Sequence, residues 1–285
     1  MFKLVLDAGH GYNTAGKRCL KSIDPNETRE WTLNDRVCDK IVDRLKAYTG
    51  YEVLRVDDVT GKVDVELEAR TDKANEWEAN FYLSIHHNAG IHGGKGGGIV
   101  AYVYNQAGKE SVEWQNDLYE AVIRHTGLKG NRSKPLSKAG FDVLKYSKMP
   151  AVLMECGFMD STIDTPVILT DEFADQVAKA FVEVIVKRGQ LKKKEVKPVS
   201  VTGVNVPRGK DDLILYVGKA TTGTNQWGRE VAVNAMTMEV EKVFPYRTGN
   251  NTIPAGCFVL SGHGKMETWI SENIRVGETI TLGVG

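Results

Sequence analysis

The 285-residue sequence predicts an α/β domain with a mostly parallel central sheet flanked by helices, followed by a second, smaller all-β domain. Three observations carry that prediction. Short uninterrupted apolar runs alternate with segments of helical period as far as residue 187. Residues 188–198 are then basic and lack apolar periodicity, as a linker does. From residue 204 onward, short apolar runs such as Leu213-Ile-Leu-Tyr-Val and Cys257-Phe-Val-Leu are separated by Gly, Asn and Thr turns. The expected boundaries are therefore 1–188 for the first domain, 189–203 for the linker and 204–285 for the β-rich domain. No repeat of 20–50 residues is visible.

Taken in order, residues 2–8 read as a buried strand ending in a Gly-His-Gly turn, and residues 12–28 as a loop. From Glu30, the spacing of Trp31, Leu33, Val37, Cys38, Ile41 and Leu45 is helical, with Gly50 as the terminator and Tyr51-Glu-Val-Leu-Arg-Val as the next strand. Residues 65–79 give a second helix with Leu67, Ala74 and Trp77 on one face. Phe81-Tyr-Leu-Ser-Ile-His is a strand, followed by the loop Gly93-Gly-Lys-Gly-Gly-Gly and a strand from Gly98 to Tyr104. That loop lacks the Gly-Lys-Ser/Thr and following helix of a phosphate site, so it reads as a flexible connection. A helix over about 108–126, a strand from Pro150 and a helix from Asp171 through Lys187 complete the domain.

Composition excludes several classes of function. Lys+Arg and Asp+Glu are 37 each, so no net field favours nucleic acid. No run of about 18 uncharged apolar residues occurs, which argues against membrane insertion. The opening MFKLVLDAGHG lacks the apolar core of a secretory leader, giving the expectation of cytoplasmic synthesis. Cysteines 19, 38, 156 and 257 form no CxxC pair and read as reduced packing residues.

The residues that can carry chemistry gather at strand ends, where a rigid sheet holds the loops that bind ligands. His10 follows the first strand, His86 ends another, and Glu155 follows the apolar run Ala151-Val-Leu-Met. A carboxylate there is costly unless it is paired, metal-bound or functional. Glu30 opens the first helix. Two imidazoles and carboxylates at adjacent strand ends suit a catalytic zinc, which uses three protein ligands and keeps a position for water. Two alternatives stand at this point: His87 beside His86, pointing to the other sheet face, and Glu27 beside Glu30. His125 and the turn Gly262-His-Gly-Lys read as non-functional. The Lys192–Lys194 run reads as a solvated linker, with attraction to an anionic polymer as the rival.

Four motifs stand in order: Asp7-Ala-Gly-His-Gly, Glu30-x-x-x-Asn34, Ser84-Ile-His-x-Asn-Ala89 and Pro150-Ala-Val-Leu-x-Glu-x-Gly-Phe158. Together they resemble the zinc-dependent N-acetylmuramoyl-L-alanine amidases of bacterial autolysins and phage endolysins, over roughly residues 1–187. The resemblance implies one Zn2+ per chain held by His10, Glu30 and His86, with Glu155 as catalytic acid/base. It implies peptidoglycan as substrate and cleavage between N-acetylmuramic acid and L-alanine. The H-x-N and E-x-x-x-N spacings select His86 over His87 and Glu30 over Glu27. A wall-cutting enzyme made in the cytoplasm and acting after release fits a phage endolysin; a bacterial autolysin or sporulation amidase, or a zinc peptidase cutting stem peptides, is the alternative. The tail resembles a small module found beside catalytic domains in bacterial envelope proteins, with binding to the wall and its secondary polymers as its expected role and self-association as the rival.

Overall fold

A computed structural model describes residues 1–194 and, beyond them, four strands at 216–219, 229–234, 240–243 and 257–262. The chain divides into two units, Met1–Lys194 and Glu195–Gly285. Among the described residues no helix is long and apolar enough to cross a membrane.

In the first unit, β1 (Phe2–Ala8) leads through a loop to α1 (Glu30–Leu45), β2 (Tyr48–Thr49), β3 (Tyr51–Arg55), α2 (Leu67–Glu76), β4 (Phe81–Asn88) and β5 (Ile99–Tyr104). Then come α3 (Lys109–Thr126), β6 (Leu136–Ala139), α4 (Asp142–Lys145), β7 (Ala151–Phe158), α5 (Thr165–Ile168), α6 (Asp171–Arg188) and β8 (Lys192–Lys193). Six strands form one sheet in the order β3-β1-β4-β7-β5-β6. Every neighbouring pair is parallel except β5 with β7, which is antiparallel.

Side chains alternate along a strand, so each face of the sheet collects its own core. Leu4, Leu6, Phe81, Leu83 and Ile85 face α1, α3 and α6, meeting Leu33, Val37, Ile41, Leu118, Val177 and Phe181. Val5, Tyr82, Ala151 and Leu153 face the opposite way, towards Ala74 of α2 and Val143 and Leu144 of α4. The apolar positions of α1 recur at three- and four-residue steps because one helical stripe meets the sheet. The Thr170 side chain accepts from the Phe173 N–H and caps α6.

Three expectations shift. The first helix stops at Leu45 rather than near Gly50, because Tyr48–Thr49 pair antiparallel with Lys192–Lys193. Those lysines, expected in a linker, thereby belong to the first unit, with Leu191 buried beside them. The glycine-rich loop, expected to be flexible, is tied down by two carboxylates. Asp160 Oδ2 accepts from the N–H groups of Gly90, Ile91 and His92 at 2.8, 2.8 and 2.7 Å, and Asp164 Oδ2 accepts from Gly98 at 2.6 Å.

In the second unit, β9 (Tyr216–Lys219), β10 (Arg229–Asn234), β11 (Val240–Val243) and β12 (Cys257–Gly262) form an antiparallel sheet in the order β11-β10-β12-β9. His263 and the rest of the expected β-rich domain lie outside the described residues.

Candidate metal centre

Sheet register brings the candidate residues together. Ala8 of β1 stands opposite Ile85 of β4, and His86 of β4 stands opposite Glu155 of β7. In-register residues of parallel strands share a face, so the His86 and Glu155 side chains both project towards the α2 side. His10 lies just beyond β1, and Glu30 reaches in from the first turn of α1.

One ligand atom from each of His10, Glu30 and His86 can be chosen so that all lie within 4.8 Å of one another. Glu30 Oε1 lies 3.0 Å from His86 Nδ1 and accepts the His87 N–H at 3.2 Å. That fixes the carboxylate and leaves Oε2 facing His10 Nε2 at 3.4 Å, with neither atom hydrogen-bonded although both are buried. Such orphaned atoms are uncommon in protein interiors and call for a missing partner. Two imidazoles and one carboxylate suit zinc, with a further position left for water. The residues therefore fit a metal ion. Burial alone would raise the Glu30 carboxyl, yet contact with His10 and His86 holds it well below the usual carboxylate range. Burial likewise would lower His86, and Glu30 raises it instead.

Glu155 has a different environment. Its Oε2 is buried without a hydrogen-bond partner. Burial pushes its carboxyl up to about 7; His86 pulls it down and Glu30 pushes it further up. A carboxyl poised there can exchange a proton near neutral pH.

The two alternatives are placed elsewhere. His87 points to the α1 side, where its Nδ1 lies 2.8 Å from Asn34 Oδ1, and burial lowers its pKa to about 3. Asn34, one turn after Glu30, also donates to the Gly9 carbonyl at 3.0 Å, which gives the E-x-x-x-N spacing a physical role. Glu27 ion-pairs with Arg18 at 3.3 Å. The cysteines at 19, 38 and 156 are free and buried.

The motif glycine and aspartate are also explained. A Cβ on Gly9 would sit inside the His86 ring, so only glycine allows the imidazole to lie across β1. Asp7 is buried and accepts from Arg70 Nη1 at 2.6 Å, Ser84 Oγ at 2.7 Å and the Tyr82 hydroxyl at 3.0 Å.

The site opens into a cleft of about 610 Å3 whose walls include Lys17, Asp64, Leu67, Arg70 and Phe141. Sequence reading singled out none of these for function. Lys17 Nζ lies 3.7 Å from Glu30 Oε2, which puts a cation on the rim. Arg70 belongs to a helix rich in charged residues and carries no local signal, although it lies on the buried face with Thr71 and Ala74. A larger depression of about 880 Å3 at the other end of the strands, near Phe2 and Pro150, is lined by no histidine.

Comparison with known proteins points to one family. The profile of the N-acetylmuramoyl-L-alanine amidase family matches residues 4–187. A sporulation-specific N-acetylmuramoyl-L-alanine amidase of Bacillus subtilis (strain 168) is 31% identical over 194 residues, covering 68% of this chain and 70% of the relative. An endolysin of Bacillus phage SPP1 is 32% identical over 195 residues, covering 68% and 69%. Among solved structures, an N-acetylmuramoyl-L-alanine amidase from Clostridium difficile 630 is 25% identical with a TM-score of 0.59, covering 65% of this chain and 95% of that one. The catalytic domain of CwlV from Bacillus (Paenibacillus) polymyxa var. colistinus matches with the same identity and TM-score over 67% and 100%.

Proposed function

The chain belongs to the N-acetylmuramoyl-L-alanine amidase family, and from that premise we propose a zinc-dependent hydrolase with a division of labour among four residues. It hydrolyses the amide between N-acetylmuramic acid and L-alanine in peptidoglycan. His10, Glu30 and His86 hold one zinc ion per chain, and Glu155 carries the proton. The observation behind this reading is the cluster of three donor atoms within 4.8 Å, beside a half-buried carboxyl on the next strand whose Oε2 is enclosed without a hydrogen-bond partner.

When bound, zinc supplies Lewis acidity to the carbonyl and lowers the pKa of water in its open position. Glu155 takes the proton of the attacking water and delivers it to the leaving amide nitrogen, which departs as the neutral amine of L-alanine. Its burial suits both halves of that task, because a carboxyl near neutral pKa is neither a feeble base nor a feeble acid. Asn34 and Gly9 support the arrangement by seating the His10 and His86 segments.

The biological setting we propose is phage-driven host lysis: the chain is made in the cytoplasm and acts on the wall after release. Similarity to the endolysin of Bacillus phage SPP1 supports it. Similarity to the sporulation-specific amidase supports a second setting, a sporulation or autolytic enzyme. In either, residues 204–285 bind the wall, with secondary wall polymers as a candidate ligand. Digestion of purified peptidoglycan tests the activity. New N-terminal L-alanine with no new reducing sugar ends is expected. New N-termini within the stem peptide, with the lactyl amide intact, would make it a peptidase instead.

A further inference from the structure

Arg70 is the most thoroughly bonded side chain beside the metal centre, and it contributes no ligand atom to it. It lies in the first turn of α2 with only 1% of its surface exposed. A guanidinium carries five N–H donors in a fixed plane. All five are used. Nε donates to the Val65 carbonyl at 2.8 Å; Nη1 donates to Asp7 Oδ1 at 2.6 Å and to the Ala8 carbonyl at 2.9 Å; Nη2 donates to the His10 carbonyl at 3.1 Å and to Asp64 Oδ1 at 3.0 Å.

Two of those bonds belong to a closed ring around a single peptide group. The carbonyl of the His10–Gly11 peptide accepts from Arg70, and its N–H donates to Thr14 Oγ1 at 2.9 Å. Thr14 Oγ1 donates in turn to Asp64 Oδ2 at 2.6 Å, and Asp64 Oδ1 returns to Arg70. The preceding peptide is held as well, since its Gly9 carbonyl accepts from Asn34. His10 therefore sits between two pinned peptide planes. It needs them, because its φ is +67°, in the left-handed region that a residue with a side chain rarely adopts. Left free, that backbone would relax to negative φ and swing the imidazole away from Glu30 and His86.

We propose that Arg70 is a positioning residue for metal binding: by locking the His10–Gly11 peptide it holds His10 in ligand geometry and so sets the affinity of the site. This rests on the reading of His10 as a ligand. Partners of this kind, which orient a ligand without touching the metal, typically govern affinity by about 10–100-fold. Lysine cannot substitute, since one ammonium cannot reach five acceptors spread around a plane.

The test is competition for Zn2+ between the full chain and a chromophoric chelator, alongside urea unfolding of the metal-free protein. Arg70→Lys keeps the charge facing Asp7 and loses the fork, so zinc affinity should fall by about 10–100-fold. Thr14→Val cuts the other limb of the ring at a half-buried position; it should weaken zinc in the same direction with little change in metal-free stability. Thr14→Val decides the matter if Arg70→Lys does not fold. Wild-type zinc affinity in the folded variants, whatever their metal-free stability, would reduce Arg70 to a structural residue and overturn the proposal. His10→Ala is the control for the premise: it should abolish tight zinc binding, and unchanged affinity there would overturn the ligand assignment itself.

Discussion

In Gly9→Ala the added Cβ would lie 2.0 Å from His86 Cε1, 2.3 Å from Nε2 and 2.5 Å from Nδ1. Non-bonded carbon atoms settle at about 3.5–4.0 Å, so something must retreat by roughly 1.5 Å. The strand gives less readily than the ring, because the Gly9 N–H donates to Ile85 at 3.0 Å and its carbonyl accepts from Asn34 at 3.0 Å. The imidazole therefore moves, and a site that tolerates displacements of only about 0.5 Å loses a ligand. Overpacking of this sort costs about 1–3 kcal/mol, within what a domain stable by about 5–15 kcal/mol survives. Gly9→Ala should thus fold, with a lower urea midpoint, and bind zinc more than about 100-fold more weakly, beyond the upper end of what a supporting residue costs. Zinc content after dialysis and urea unfolding measure the two effects. The double variant Gly9→Ala/His86→Ala removes the ring that the methyl strikes, so it should recover stability while still lacking metal. Stoichiometric, tightly held zinc in Gly9→Ala would refute the placement of His86.

Further outcomes follow from burial. Desolvation pushes the Cys19 thiol up to about 12 and raises Cys38 and Cys156 strongly as well, so none of the three presents thiolate at pH 8. Site-resolved mass spectrometry after alkylation should find them unmodified in the folded chain and fully modified in denaturant; rapid native labelling would contradict their burial. A chain ending after Lys194 keeps Leu191 and the β2–β8 pairing, whereas one ending at Arg188 loses both. The shorter chain should be less stable by about 1.5–3 kcal/mol, the value of one buried leucine, by urea unfolding. If residues 204–285 bind the wall as proposed, the Lys194 truncation should cleave soluble muropeptides normally but intact walls more slowly, for want of a tether that raises local concentration. Equal rates on walls would remove wall binding from the second unit.

The parts of the fold legible in the sequence are those whose signal is local. β1, β4 and β7 carry the apolar runs Leu4-Val-Leu, Phe81-Tyr-Leu and Ala151-Val-Leu-Met because both their faces are covered. α1, α3 and α6 show the helical stripe because each buries one side. By contrast, β6 is the edge sequence Leu-Ser-Lys-Ala, half-exposed and without alternating apolar residues, and α4 and α5 are single turns. The early end of α1 depends on pairing with Lys192–Lys193, far along the chain, which no local window contains. The candidate site was legible for the same reason as the strands: His10, His86 and Glu155 stand at strand ends, and Glu30 at a helix start. Illegible were the residues that hold these groups still. Arg70 reads as one more charge on a surface helix, and Asp160 as one more loop acid, until the fold delivers backbone groups to them.

In the proposed division of labour Glu155 does the chemistry while His10, Glu30 and His86 hold metal. Glu155→Gln separates those roles, since it keeps the side-chain shape and removes the base. The decisive measurement is release of N-terminal L-alanine from peptidoglycan by a Glu155→Gln chain whose zinc content has been determined in the same sample. Stoichiometric zinc with turnover reduced by about 10²–10⁴ is the expected result, the scale of lost acid–base catalysis. Near-normal release from the zinc-loaded variant would contradict it.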